Sequence, residues 1–302
     1  MQITETVLNF KILNHTGSAK YFIDISESMS ALNRKLFRQT GVWPVLAANA
    51  YATDGAAYPA PVPFTIAING APRTWVTRNS ILKAHSAWML QQRDARTEGA
   101  SESVKPRWED FKIYLNEDHR VTGSLLPTSG HPFTSGTDNV SPGEWAHSLY
   151  VIVEDEPTRY AVDEKFMHIL GDDNSNSYGL IKNYQNSRAH PDENDPDVPT
   201  LTDNTMYAHG GSAFGPKTQE ILQNMENAND APPYDADAYV GGDTNAIYPY
   251  NFAYGACTGS LGRKVQLNGF SAPNGLLMVQ VDASTENSDF WLQLVIGERS
   301  DY

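Results

Sequence analysis

The chain has 302 residues, with 22 Lys+Arg against 36 Asp+Glu, a formal net charge of −14 and one cysteine. That length suffices for one large domain or two of about 150 residues, and a lone Cys257 excludes an internal disulfide or a cysteine-rich zinc site. The bulk charge argues against a nucleic-acid binder, no apolar run approaches the roughly 20 residues of a membrane helix, and MQITETVLNF has neither the basic nor the apolar part of a signal peptide.

Val7, Phe10 and Ile12 lie in a strand-like run. His15-Thr16-Gly17-Ser18 supplies turn chemistry, and Tyr21–Ile25 reads as a second strand. Ser26 or Ser28 is a candidate cap for a short helix with Leu32, Leu36 and Phe37 at helical spacing. Further strands are predicted at Val42–Tyr51, at Val62–Asn69 and around Trp75. The clearest helix is Ser80–Ala95, capped by Asn79 or Ser80. Ile81, Leu82, His85, Trp88 and Met89 form its apolar face, and Lys83, Gln91, Arg93 and Asp94 take the other. A polar stretch at Glu98–Val104 ends it, and Trp108–Leu115 alternates as a strand does.

Residues 122–143 are rich in Gly, Ser, Thr and Pro and read as a long surface loop or an inter-domain connection. Glu144–Val153 and Tyr160–Leu170 are predicted strands. Gly171–Asp243 is polar, with at most one helix at Lys217–Ala228. This part carries the acidity: residues 154–243 hold 5 Lys+Arg against 18 Asp+Glu, whereas residues 1–153 hold 14 against 13. Strands at Ala246–Ala256, Leu276–Val281 and Phe290–Ile296 follow, the last two joined by a hairpin-like connection, Asp282–Asp289. There is no α/β alternation and no repeat of 20–50 residues. A dozen short strands with two or three short helices predict an all-β fold.

Catalytic motifs are absent in recognisable form, and no enzyme is expected. Gly255-Ala-Cys-Thr-Gly259-Ser-Leu-Gly262-Arg263-Lys264 fails as a phosphate loop, because its Lys does not follow Gly and no Ser/Thr follows the Lys; it reads as a glycine-rich β-turn. His209-Gly210-Gly211-Ser212 has no nucleophile elbow to serve and reads as a loop. Cys257 reads as a small buried apolar residue, and His85 and His168 as packed residues. The six tryptophans, Trp43, Trp75, Trp88, Trp108, Trp145 and Trp291, read as core. Two acidic clusters are the candidates for a Ca2+ ion: Asp172-Asp173-Asn174, and Asp192-Glu193-Asn194-Asp195-Pro196-Asp197. Neither has EF-hand spacing, and solvated loops are the default, so no cofactor is expected. Arg34, Lys35, Arg38, Arg73 and Arg78 form a basic set suited to face another subunit's acidic loops. Asn14 and Asn139 head glycosylation sequons, which mean little without a leader.

Several blocks together resemble coat proteins of small circular single-stranded DNA viruses. They are Tyr21-Phe-Ile-Asp-Ile-Ser26, Ala31-Leu-Asn-Arg-Lys-Leu-Phe-Arg-Gln39, Thr74-Trp75 with Asn79 and Ala87-Trp88, and Ser103-Val-Lys-Pro-Arg-Trp-Glu-Asp-Phe-Lys-Ile-Tyr114. Gly143-Glu-Trp145, Gly179-Leu-Ile-Lys-Asn-Tyr184, Ser187-Arg188, Asp195-Pro196-Asp197, Pro232-Pro233-Tyr234 and Gly241-Gly242 continue them. The resemblance covers most of the chain. It implies a viral jelly-roll capsid fold, a place in the virion, and partners that are further copies of the chain in an icosahedral capsid lattice, with other virion proteins. Many such coat proteins begin with an Arg/Lys-rich arm for direct genome binding, yet residues 1–30 here contain only Lys11 and Lys20. That departure tilts the expectation to the tailless phages with an internal membrane, whose coat proteins are double jelly rolls forming trimeric capsomers. The expected layout is then a first barrel at 1–130 with the helix 80–95, and a second at 131–302 with the acidic loops 171–243. One jelly-roll domain over 1–302 with large loop insertions is the alternative. The competing function is a carbohydrate- or receptor-binding β-sandwich module of a virus or phage, which would expose Trp or Tyr in a groove.

Overall fold

Alternation of apolar and polar side chains along a strand buries one face of a sheet and leaves the other for different partners. In the computed structural model, which describes residues 4, 6–53, 62–98, 108–129, 139–143, 146–153, 162–171, 177–187, 250–258, 264–283 and 288–301, this alternation builds two facing antiparallel sheets. The first has the order β1 (Val7–His15), β12 (Ser288–Ile296), β3 (Val42–Thr53), β10 (Phe270–Pro273), with β9 (Val265–Leu267) also on β3. The second has the order β2 (Ser18–Asp24), β11 (Leu276–Ala283), β4 (Phe64–Gly70), β8 (Tyr250–Cys257). Leu8, Phe10 and Ile12 of β1 and Leu292, Leu294 and Ile296 of β12 meet Ile23, Ile66, Ile68, Leu277, Val279 and Val281 in one buried apolar cluster. The molecule is mostly β, as expected.

Among the described residues, every ladder in these two sheets joins a strand before residue 71 to one after residue 249. A boundary at 130/131 would therefore cut all seven ladders, so two successive barrels, 1–130 and 131–302, do not describe this pairing. The hairpin expected at Asp282–Asp289 is also corrected. β11 belongs to the second sheet and β12 to the first, so the connection crosses between sheets.

Between β4 and β8 lies an insertion with α2 (Trp75–Glu98), α3 (Glu117–Thr122), α4 (Leu180–Asn186) and a small sheet of β5 (Leu149–Val153), β6 (Val162–His168) and β7 (Ser177–Gly179). It covers the outer face of the second sheet. Phe22, Leu276 and Met278 point outward from that sheet into a second buried cluster with Val76, Ile81, Trp88, Phe111, Ile113, Leu115, Met167 and Ile181. β7 and α4 lie in the stretch read from sequence as polar loop.

Several local expectations shift. The strand expected around Trp75 is the start of α2, because the Thr74 hydroxyl accepts the Thr77 N–H (3.2 Å) and caps it. Asn79 and Ser80 are therefore inside the helix, and Leu82 and Met89 are exposed instead of packed. The helix α1 (Ile25–Asn33) is capped by Asp24, not Ser26 or Ser28. It ends at Arg34 in the left-handed region (φ 52°), which puts Leu36 and Phe37 beyond it. Trp108–Leu115 has the burial of a strand at Phe111, Ile113 and Leu115, but Tyr114 makes just a bridge to His168. The stretch 122–143 is no free linker where it is described: Leu125 N–H donates to Phe22 O (2.6 Å) and Thr128 N–H to Asn9 O (2.7 Å), which stitches it to both sheets. The helix expected at Lys217–Ala228 lies outside the described residues.

Candidate functional site

Where β2 runs into α1, charged and polar groups are buried together. Asp24 Oδ1 accepts from Ser26 N (2.9 Å), Ser26 Oγ (2.6 Å) and Glu27 N (3.1 Å). Its Oδ2 accepts from Gln39 Nε2 (3.1 Å). Gln39 also reads the backbone of Ile113 in both directions, donating to its O (2.8 Å) and accepting its N–H (2.7 Å). This pins segment 111–115 to the N-terminus of α1. On that segment Lys112 is fully buried. Burial holds its ammonium below the usual lysine range, against the pull of Asp24, Glu27 and Asp110. Burial likewise raises Glu27, with Asp24 adding to the rise and Lys112 opposing it. Asp110 is raised by burial and pulled back by Arg38, 3.8 Å away.

Two imidazoles complete the cluster. His119 stacks on Phe22 (5.0 Å between centroids), and His147 stacks on Tyr114 (3.5 Å). His119 Nδ1 accepts the Leu115 N–H (3.1 Å), so it carries no proton and Nε2 donates to Ser124 Oγ (2.9 Å). Burial, with Lys112 nearby, pushes His119 down to about 3 and His147 down to about 2. A depressed lysine beside neutral imidazoles has the composition of a proton-transfer site. Here Lys112 and His119 are both enclosed, at 0% exposure, so a substrate has no approach to either. The cluster works as an internal strut between the second sheet, α1, α3 and the insertion.

The surface offers the other candidates. An apolar pocket of about 160 Å3 sits between α2, α4 and the small sheet, lined by Ala84, Ala87, Tyr150, Met167, Tyr178 and Tyr184. Lys83 Nζ donates to Ser187 Oγ (2.5 Å) at its rim. A wider cavity of about 570 Å3 opens beyond α1, among Lys35, Phe37, Arg38, Trp43, Ile296 and Arg299. Of the tryptophans read as core, Trp43, Trp88 and Trp291 are buried, whereas Trp75 and Trp108 are 43% and 64% exposed. Trp145 lies outside the described residues.

His168 is buried and pairs with Ser177 Oγ (3.0 Å). His85 meets the Phe111 ring edge-on, and Cys257 is buried. In the glycine-rich run, residues 255–257 end β8 instead of turning. A Cβ on Gly255 would collide with Val265 and Leu267, so the glycine lets β9 approach. The calcium candidates Asp172, Asp173, Asp192, Asp195 and Asp197 lie outside the described residues, as does His209–Ser212. Sequence reasoning missed Asp24, Gln39, Lys112, His119 and His147; a lysine inside an alternating run reads as solvent-facing. No family model, no curated protein and no solved structure matches this chain.

Proposed function

We propose that the chain is the major capsid protein of a virus: a single jelly-roll domain over 1–302, with its large insertion between β4 and β8, that self-assembles into an icosahedral shell. The observation that carries this reading is the strand order. Two facing four-stranded antiparallel orders, β1-β12-β3-β10 and β2-β11-β4-β8, interleave the two halves of the chain, which supports a reading as two nested Greek keys of a jelly roll. The extra strand β9 lies beside β3 in the first. The blocks of sequence resemblance point to the same class. On this reading the chain is no enzyme, its place is the virion, and its partners are copies of itself and other virion proteins. It needs neither a cofactor nor calcium.

Jelly rolls also serve lectins. A carbohydrate- or receptor-binding module is favoured by one observation: Tyr250 and Tyr254, 56% and 65% exposed, both lie on β8, an edge strand among the described residues, one on each side of its bulge. Size-exclusion chromatography and negative-stain imaging of the purified full chain separate the two readings. Shells or large oligomers are expected for the capsid protein; a monomer or small trimer at every concentration overturns it in favour of the binding module.

A further inference from the structure

We infer that the outward face of α2 is a contact surface for a second copy of this chain; the inference rests on the capsid reading and names one of its interfaces. α2 spends its inner face on the second core, where Val76, Ile81 and Trp88 are buried. Its opposite face carries Leu82, Met89 and Leu90, which are 43%, 42% and 49% exposed. Leu82 and Met89 are seven residues apart, two helical turns, so they stand above one another along the helix. The half-exposed Trp75, seven residues before Leu82, continues the line and packs edge-on against Tyr184. The three side chains thus span roughly 20 Å at 1.5 Å per residue, with the exposed Arg78 and Ser86 between them on the same face. No ladder or core cluster among the described residues uses Leu82, Met89 or Leu90. A soluble helix normally keeps this face polar, and exposed large apolar side chains in a row mark a contact.

Charge chooses the occupant. Arg78 lies within the line and Arg93 beyond it on the same face, and both are exposed. Between residues 73 and 98 there are five cations against two carboxylates, in a chain of net charge −14 whose residues 154–243 hold 18 carboxylates against 5 cations. Copies carrying −14 each repel overall, so they associate where a positive patch of one meets the negative remainder of another. Such a contact pairs different surfaces, basic α2 on one copy and an acidic surface on the next. Contacts of that heterologous kind close into rings where the rotation between copies closes and run on as filaments where it does not. An α2-to-α2 contact would set arginines against arginines.

The test is sedimentation of the full chain across concentration and salt. Two double variants are used, Leu82→Glu with Met89→Glu and Arg78→Glu with Arg93→Glu. Tyr254→Ser, on strand β8, is the control. Circular dichroism checks that each variant keeps its helix, which exposed positions allow. Both double variants are expected to weaken association by at least about tenfold, the control to leave it unchanged, and added salt to weaken the wild type. If the wild type assembles and the double variants assemble equally well, this inference falls and the capsid reading stands. A wild type that is monomeric at every concentration overturns both. Loss of assembly in Tyr254→Ser to the same degree also overturns it, since the effect would not belong to α2. So does a monomer that sediments with phosphatidylglycerol vesicles through this face, which would give the stripe to a membrane.

Discussion

The core between the two sheets and the core behind the second sheet are made of different materials. The first is mainly aliphatic and aromatic, filled largely by alternate residues of strands, with Met29, Cys257 and the buried His15 against Phe290 as its exceptions. The second mixes Phe111, Ile113 and Leu115 with the buried Lys112, Asp24, Gln39 and His119. An apolar core tolerates any arrangement that conserves volume, whereas buried polar groups must each find a partner and so admit few arrangements. The sandwich core thus supplies stability, and the polar core fixes how the insertion sits on the second sheet.

The largest expected effect is in the sandwich. Phe10 is fully buried, and Phe10→Ala is expected to cost about 3–5 kcal/mol, with both sheets unfolding in one urea transition; two separate transitions would show that the sheets are not one cooperative unit. Phe111 is equally buried. Phe111→Ala is expected to raise hydrogen exchange in α2 and segment 111–115 before it reaches β1 or β12, and uniform exchange across all of them would erase the distinction between the cores. Lys112→Met keeps volume but strips the cation from buried Asp24 and half-buried Glu27, so a loss of about 3 kcal/mol is expected. Adding Asp24→Asn and Glu27→Gln should recover part of it, and no recovery would mean the three do not act together.

Acid should weaken the polar core specifically. His119 titrates at about 3 in the fold and near 6.5 unfolded. Its contribution is full above 6.5 and is lost as pH falls from 6.5 towards 3, because the unfolded chain takes up a proton that the fold refuses. The slope is at most about 1.4 kcal/mol per pH unit. Glu27 and Asp110, raised by burial, act in the opposite sense just above their ordinary values. The difference between wild type and His119→Asn removes both, and an unchanged slope in that variant would take the titration away from His119. The smallest effect is expected on the outer face of the first sheet. There Asn9, Gln293 and Asn49 stand in register across β1, β12 and β3, joined by hydrogen bonds of 3.1 Å each. Gln293→Ala should cost about 0.5–1.5 kcal/mol in thermal unfolding.

The same contrast explains what could be read from sequence. The sandwich strands announce themselves by alternation, as at Phe64, Ile66 and Ile68 or Leu277, Val279 and Val281. Their partners do not, because periodicity says which face is buried and nothing about which strand lies alongside; hence the misplaced hairpin between β11 and β12. In the insertion the local signals conflict with the outcome. Trp75 reads as strand and starts a helix, and Lys112 reads as surface and is buried. His119 stands in a short polar run whose role depends on Phe22, brought in from β2, as well as on Ser124 five residues on. α4 hides in a polar stretch because it buries little more than Leu180 and Ile181. The outward line on α2 was visible as apolar residues, but sequence assigned Leu82 and Met89 to the inner face.

The pairing of β1 with β12 also sets a timetable. Asn9 and Gln293, neighbours in the first sheet, are 284 positions apart in the chain, and at about 5–20 residues per second the ribosome delivers the second some tens of seconds after the first. Until then Leu8, Phe10 and Ile12 have no β12 to cover them. Loop closure over such a span is slow, and an uncovered strand edge invites pairing with another nascent chain. A molecule wired this way cannot fold from its first residues onward: the sandwich forms late and nearly all at once, and its early strands depend on dilution or chaperones to stay unpaired while they wait.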